Sequence, residues 1–224
     1  MLLLKFILAF CSLSYELLLA QGLSAFLDNT VLRYSTTIGL YMFTMGIGAL
    51  VTGRIDMRRP ALVLWQAQIL LALSGLGGVI SLFLLSGFGT PTWLVVVWAY
   101  ALVSLIGFLT GLELPLILVM SDRRSGPSRH RIIAVDYAGA FAGTIAFVFL
   151  FYSWLGLVRS TMAVVLLNVL AAVFIAGHDD EDFAKQREPA ILAALLLVGA
   201  VLALFLVSGQ LENNLLAVYL RQGN

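Results

Sequence analysis

Three carboxylates stand inside long apolar runs: Glu16 in SYELLLAQG, Glu113 in GLELPL and Asp136 in AVDYAGA. An ionised carboxylate facing lipid at the centre of a bilayer costs about 2.5–3.5 kcal/mol, so each of these groups needs a partner, a proton or a polar cavity. Two chemistries suit such a set. Acids held at one depth can share a proton, because like charges disfavour double ionisation, or together they can hold a cation. Tyr15 and Tyr137 adjoin two of the acids and join them as candidate substrate- or cation-binding residues. Equally compatible with the residue types is structural hydrogen bonding, in which each acid is protonated and bonded across helices to Tyr15, Tyr137, Gln66, Gln68 or Asn168. The aromatic residues Tyr15, Tyr41, Tyr100, Trp65 and Trp98 have the same two readings, as cation–π liners of a pocket or as ordinary packing and interfacial groups.

The elements that must position these groups are membrane spans. Of 224 residues, 61% are hydrophobic and 11% charged, with a mean hydropathy of +1.02, whereas a soluble domain carries about 25% charged residues. Seven apolar segments, roughly 2–20, 34–53, 61–87, 93–120, 132–153, 158–177 and 189–209, are near the 20 or so residues that cross a bilayer. The expected fold is therefore all-α, a polytopic transmembrane bundle of about seven spans over residues 1–210, followed by an amphipathic tail at 211–224. Residues 1–20 are expected to be a retained span rather than a signal peptide. The leading region holds only Lys5, Leu19-Ala20 is a poor cleavage site, and Glu16 does not belong in a signal core. The single Cys11 lies in this run and leaves no intrachain disulfide to form.

Lys5, Arg54, Arg58, Arg59, Arg123, Arg124, Arg129, Arg131, Lys185 and Arg187 fall on one side of a seven-span arrangement, and Arg33, Arg159 and Arg221 on the other. That asymmetry predicts a cytoplasmic N-terminus and an external C-terminus in a bacterial inner membrane. Glu113 and Asp136 lie eight and five residues from opposite ends of the loop 121–131, so antiparallel neighbours would hold them at similar depth on its side. Glu16, eleven residues beyond Lys5, reaches nearer the midplane. Gly107 with Gly111, and Gly139 with Gly143, have the spacing that lets membrane helices approach closely. Asp136, Gly139, Ala140 and Gly143 share one helical face, which turns Asp136 toward protein. Pro115, two residues past Glu113, removes a backbone donor there.

Other chemistries lack their residues. The glycines of SGLGG (74–78) sit within a span, with no strand before them, and are read as packing residues rather than a dinucleotide loop. His130 and His178 have no cysteine or acid at metal-ligand spacing, and there is no GxSxG or GxxxxGK[ST] pattern. No cofactor, metal or catalytic residue is expected, and the near-neutral charge of +1 argues against nucleic acid.

The segment SYELLLAQGLSAFLDNTVLRYSTTIGLYMFTMGIGAL (14–50) resembles the multi-pass membrane domain that precedes the catalytic domain of membrane-bound spermidine-synthase-like proteins, the polyamine aminopropyltransferases. GLELPLIL (111–118), AVDYAGAFAG (134–143) and WLGLVRS (154–160) continue the resemblance in order, over roughly residues 11–175. The resemblance implies that Tyr15, Glu16, Asn29, Tyr34, Glu113, Pro115, Asp136 and Tyr137 belong to a recurring membrane pattern, with no individual role attached. It also implies that a Rossmann-like domain with a Gly-rich loop and acidic residues would carry aminopropyl transfer, beginning near LENNLLAVYLRQGN (211–224), where this sequence stops. The expectation is thus a non-catalytic membrane module, an anchor or polyamine- or cation-binding partner for a separate transferase domain. An external C-terminus would put that domain on the side opposite its expected donor, unless the first span is re-entrant near Gln21-Gly22. Two other classes stand beside this one. GALVTGRIDMRR (48–59) is loosely similar to the loop between the second and third spans of major-facilitator transporters, which would make the chain a dimerising, proton-coupled half-carrier. The third class is a structural subunit of a membrane complex. In every class the lipid bilayer is a partner.

Overall fold

The computed structural model describes residues 1–27, 30–54, 58–87, 90–124, 126–177, 183 and 186–222. Among them the chain is helical throughout: α1 (Leu2–Leu27), α2 (Thr30–Thr52), α3 (Pro60–Gly87), α4 (Thr92–Arg123), α5 (Arg129–Ala146), a π-helical segment (Phe147–Leu155), α6 (Gly156–Gly177) and α7 (Arg187–Gln222). Six helical stretches are long and apolar enough to cross a membrane, with Arg129–Gly177 counted as one 49-residue stretch. That stretch is two antiparallel helical segments joined at a corner. At Gly156 the backbone leaves the helical region with φ 72°, a conformation glycine adopts without a Cβ penalty. Ser160 Oγ donates to the Phe151 carbonyl at 2.9 Å across this corner.

Contacts between neighbours fix the directions of α1 to α6. Gly139 meets Phe6 and Gly143 meets Phe10, so α5 runs parallel to α1. Gly22 lies against Leu157 while Cys11 Sγ approaches the Val164 carbonyl at 3.9 Å, so α6 runs antiparallel to α1. Tyr41 Oη donates to the Ser12 carbonyl at 2.9 Å and Tyr34 Oη donates to Gln21 Oε1, which makes α1 and α2 antiparallel. Trp98 reaches Ser81 at 2.8 Å and Gln68 reaches Glu113, which does the same for α3 and α4. The helices thus alternate, and the connections 53–60 and 121–131 share one end, where Arg123 Nη1 donates to the Arg58 carbonyl at 3.1 Å.

Two seams organise the half of the bundle that matters here. In α4, Gly107 faces Tyr41 and Thr44, and Gly111 faces Met45, while Gly48 of α2 faces Phe108. In α5, Gly139 and Gly143 face Phe6 and Phe10. A Cβ at any of these positions would press on backbone of the neighbouring helix, so glycine permits the approach. The seams draw α4 onto α2 and α5 onto α1, and the space between the two pairs stays open. The other face of α1 packs with α3, α4 and α6 in the core, around Leu8, Cys11, Leu71, Ile106 and Val164. Helix α7 lies against α6. Asn29, Lys185, His178 and the side-chain pattern of the tail 211–224 lie outside the described residues and side chains.

Candidate functional site

The open space between the helix pairs is a cavity of about 380 Å³ whose wall includes Lys5, Ser12, Glu16, Glu113, Asp136 and Tyr137. All three acids singled out by the sequence therefore line one chamber. On α1, Lys5, Ala9, Ser12 and Glu16 are spaced i, i+4, i+7, i+11, a single helical stripe along three turns, and every one of them faces the cavity. From α4 come Thr110, Gly111, Glu113 and Pro115, from α5 Asp136, Tyr137 and Ala140, and from α2 Met42, Met45, Gly46 and Ala49. The mouth carries Met42, 56% exposed, and Tyr137, 72% exposed.

The acids have different partners. Asp136 Oδ1 pairs with Lys5 Nζ at 2.6 Å, and Lys5 is buried to 3% exposure. Glu113, 1% exposed, accepts a hydrogen bond of 2.9 Å from Gln68 Nε2. Gln68 is held in turn, its backbone carbonyl accepting from Asn168 Nδ2 at 3.2 Å, so a polar chain links α6, α3 and α4 behind the cavity wall. Glu16 is 8% exposed and has no hydrogen bond among the described residues, although it lines the cavity. The three carboxylates do not converge on one point, since no group of three potential ligands among the described residues can hold a single metal ion. Proline at 115 removes the N–H that would otherwise bond the Gly111 carbonyl, and both residues line the cavity. The wall therefore supplies separated acceptors in an otherwise apolar setting, and one internal cation.

Several sequence expectations can be placed. Helix α4 continues through Pro115 to Arg123. Tyr15 lies away from the acids: its ring sits against Gly75 and lines a small apolar pocket with Leu18, Leu23, Ile106 and Leu157. The cause is helical geometry, because successive residues project about 100° apart and Tyr15 cannot share the face of Glu16. Its hydroxyl has no hydrogen-bond partner among the described residues. Gln66 is exposed and takes no part, whereas Gln68 is buried and does. The other aromatics are dispersed. Tyr41 bonds Ser12, Tyr100 accepts from Arg33 Nη1 at 3.3 Å, Trp98 bonds Ser81, and Trp65 meets Phe183 edge-on. Lys5 is the residue the sequence reading placed differently, as a flanking charge that sets orientation. The signal for its true place was its spacing of eleven residues from Glu16, three helical turns on one face.

These features define an all-helical bundle with a carboxylate-lined chamber between two glycine-packed helix pairs. No family model matches the chain, and no solved structure does. Curated relatives do. The chain is 32% identical over 214 residues to polyamine aminopropyltransferase 2 of Ralstonia nicotianae, covering 93% of this chain and 42% of the relative. It is 33% identical over 199 residues to the polyamine aminopropyltransferase of Leptospira interrogans, covering 86% of this chain and 39% of that protein. Over 206 residues it is 29% identical to the enzyme of the same name from Oceanobacillus iheyensis, with 91% of this chain and 39% of the relative aligned. The chain thus spans about two-fifths of the length of these relatives.

Proposed function

We propose that this chain is a membrane-embedded module of the spermidine-synthase-like family whose internal chamber binds an organic cation of the polyamine class. The module anchors, and hands its ligand to, a transferase domain that performs the chemistry. The observation that carries this reading is the chamber itself. Three carboxylates line a volume of about 380 Å³, within the range of about 300–1,000 Å³ common for small-molecule pockets. No group of three or more His, Cys, Asp or Glu among the described residues can hold a metal ion, and a chamber of mixed acidic and apolar lining suits an organic cation. Apolar lining residues, among them Leu13, Ala49, Leu114 and Ala140, suit methylene groups. Similarity to proteins named for polyamine aminopropyl transfer supports the same class of ligand. The alternating helices and the Lys/Arg bias of one end support a multi-pass arrangement in the bacterial cytoplasmic membrane, with the 121–131 connection inside.

The test is thermal unfolding of the detergent-purified protein during titration with putrescine and spermidine, with sodium chloride matched for ionic strength. Saturable stabilisation by the amines, abolished by Glu113→Gln, is the expected result. Stabilisation by salt alone, or none at any amine concentration with a folded variant, would leave the module as an anchor whose acids are structural.

A further inference from the structure

One end of the bundle carries charge that the chamber does not use. The connections 53–60 and 121–131 hold seven arginines against two aspartates, a net charge of +5. At the other end, 28–33, 88–91 and 153–159 hold two arginines and one aspartate. The fold gathers part of the basic set at a single corner. Helix α4 packs on both α2 and α3, and Arg123 Nη1 at its end donates to the Arg58 carbonyl at 3.1 Å, so the two connections meet. Arg54, just past α2, and Arg59, just before α3, belong to the same corner, and all four arginines are exposed. The second connection is braced from within, where Ser121 Oγ donates to the Pro127 carbonyl and the Gly126 N–H to the Ser121 carbonyl, each at 2.9 Å. Asp122 is taken by Arg129 at 2.5 Å. The side chains of Arg54 and Arg59 have no hydrogen bond or ion pair among the described residues, outside which Asp56 lies.

What lies beside the arginines decides which anion they suit. Phe43, Ile47, Leu50 and Arg54 are spaced i, i+4, i+7, i+11, a stripe that runs along α2 to the corner. Its three apolar members are 67%, 38% and 76% exposed. A cationic head above an exposed apolar track matches an amphiphile with an anionic head and an acyl chain, whereas a free phosphate or an acidic protein surface would use the cations alone. Each of the four arginines lies within two residues of a helix end, about 3 Å along the axis, which is the depth at which a span leaves the hydrocarbon. Guanidinium forks match phosphate oxygens, and basic groups at a membrane surface attract anionic lipid.

We propose that the corner of Arg54, Arg58, Arg59 and Arg123 binds the phosphate of an anionic phospholipid in the adjacent leaflet, with an acyl chain along the Phe43–Leu50 stripe of α2. The inference rests on the membrane reading above. The test measures energy transfer from the tryptophans of the full chain to pyrene-labelled phosphatidylglycerol in nonionic detergent at fixed ionic strength. Saturable transfer is expected, displaced by unlabelled phosphatidylglycerol and not by phosphatidylcholine or inorganic phosphate. Arg54→Gln/Arg59→Gln should weaken binding about 25-fold, roughly fivefold for each arginine. Arg159→Gln, at the other end, should leave it unchanged. Equal displacement by phosphatidylcholine, or equal affinity in the wild type and the double variant, would overturn the site. Displacement by inorganic phosphate would make it a free-anion site, and stronger displacement by polyglutamate than by phosphatidylglycerol an acidic-protein surface; either overturns the lipid. No transfer to any labelled lipid in reconstituted vesicles, phosphatidylcholine included, would overturn the membrane reading itself.

Discussion

Removing one charge from the Lys5–Asp136 pair should cost far more than removing both. In Asp136→Asn the Lys5 ammonium, 3% exposed, loses the carboxylate 2.6 Å away and stays buried in the chamber wall. Breaking a buried ion pair from one side costs about 3–5 kcal/mol, and replacing both partners by neutral residues is often nearly neutral. Asp136 is 26% exposed, so the lower end applies, about 3 kcal/mol. For a chain of this size that is a fall in Tm of roughly 6–12 °C. The Lys5→Met/Asp136→Asn double variant should recover most of it, giving a coupling energy of at least about 3 kcal/mol, opposite in sign to the single losses. Thermal unfolding of the four proteins in one detergent, followed by circular dichroism, completes the cycle. Additive losses in the double variant, or an Asp136→Asn protein as stable as wild type, would refute a buried pair.

Other outcomes follow from the same geometry. Gly139→Leu and Gly111→Leu should each lose about 1–3 kcal/mol by forcing neighbouring helices apart, while Gly39→Leu and Gly77→Leu, where nothing lies within 4 Å of an added Cβ, should unfold near the wild-type temperature. Gln68→Leu removes the donor to buried Glu113 and should cost about 1–3 kcal/mol in the same assay, with Glu113→Leu in the same protein relieving part of the loss. In a Cys11→Ala background, an impermeant maleimide should label Ser128→Cys in inside-out vesicles and not in intact spheroplasts; the reverse pattern would invert the orientation drawn from the Lys/Arg bias.

Much of this was legible in the sequence because membrane solvent is a strict selector. Apolar runs of about 20 residues can be helices and little else, and the seven segments fall on α1 to α7 among the described residues, which form six stretches long and apolar enough to cross a membrane. The buried acids were conspicuous for the same reason, since charge in such a run has few innocent explanations. The GxxxG spacings located both seams, because small residues i and i+4 on one face serve close approach. What the sequence hid was angular and long-range. Tyr15 adjoins Glu16 in the chain but faces Gly75, a difference of one helical step. Lys5 looked like a flanking charge because nothing local distinguishes a lysine at the end of a span from one three turns below an acid. That the acids on α1, α4 and α5 share one chamber depended on which helices pair, and pairing was written in glycines whose partners carry no recognisable mark. The corner at Gly156 falls in the gap the sequence leaves between the segments 132–153 and 158–177, whereas the π-helical winding of Phe147–Leu155 before it has no mark in the residue pattern.

The proposed binding of an organic cation of the polyamine class by the carboxylate-lined chamber carries the rest. Calorimetric titration of the detergent-purified wild type and the Glu16→Gln/Glu113→Gln variant with putrescine tests it most directly. Binding of one putrescine per chain to wild type, and none to a folded double variant, is the predicted result; equal binding to both proteins, or to neither, would contradict it.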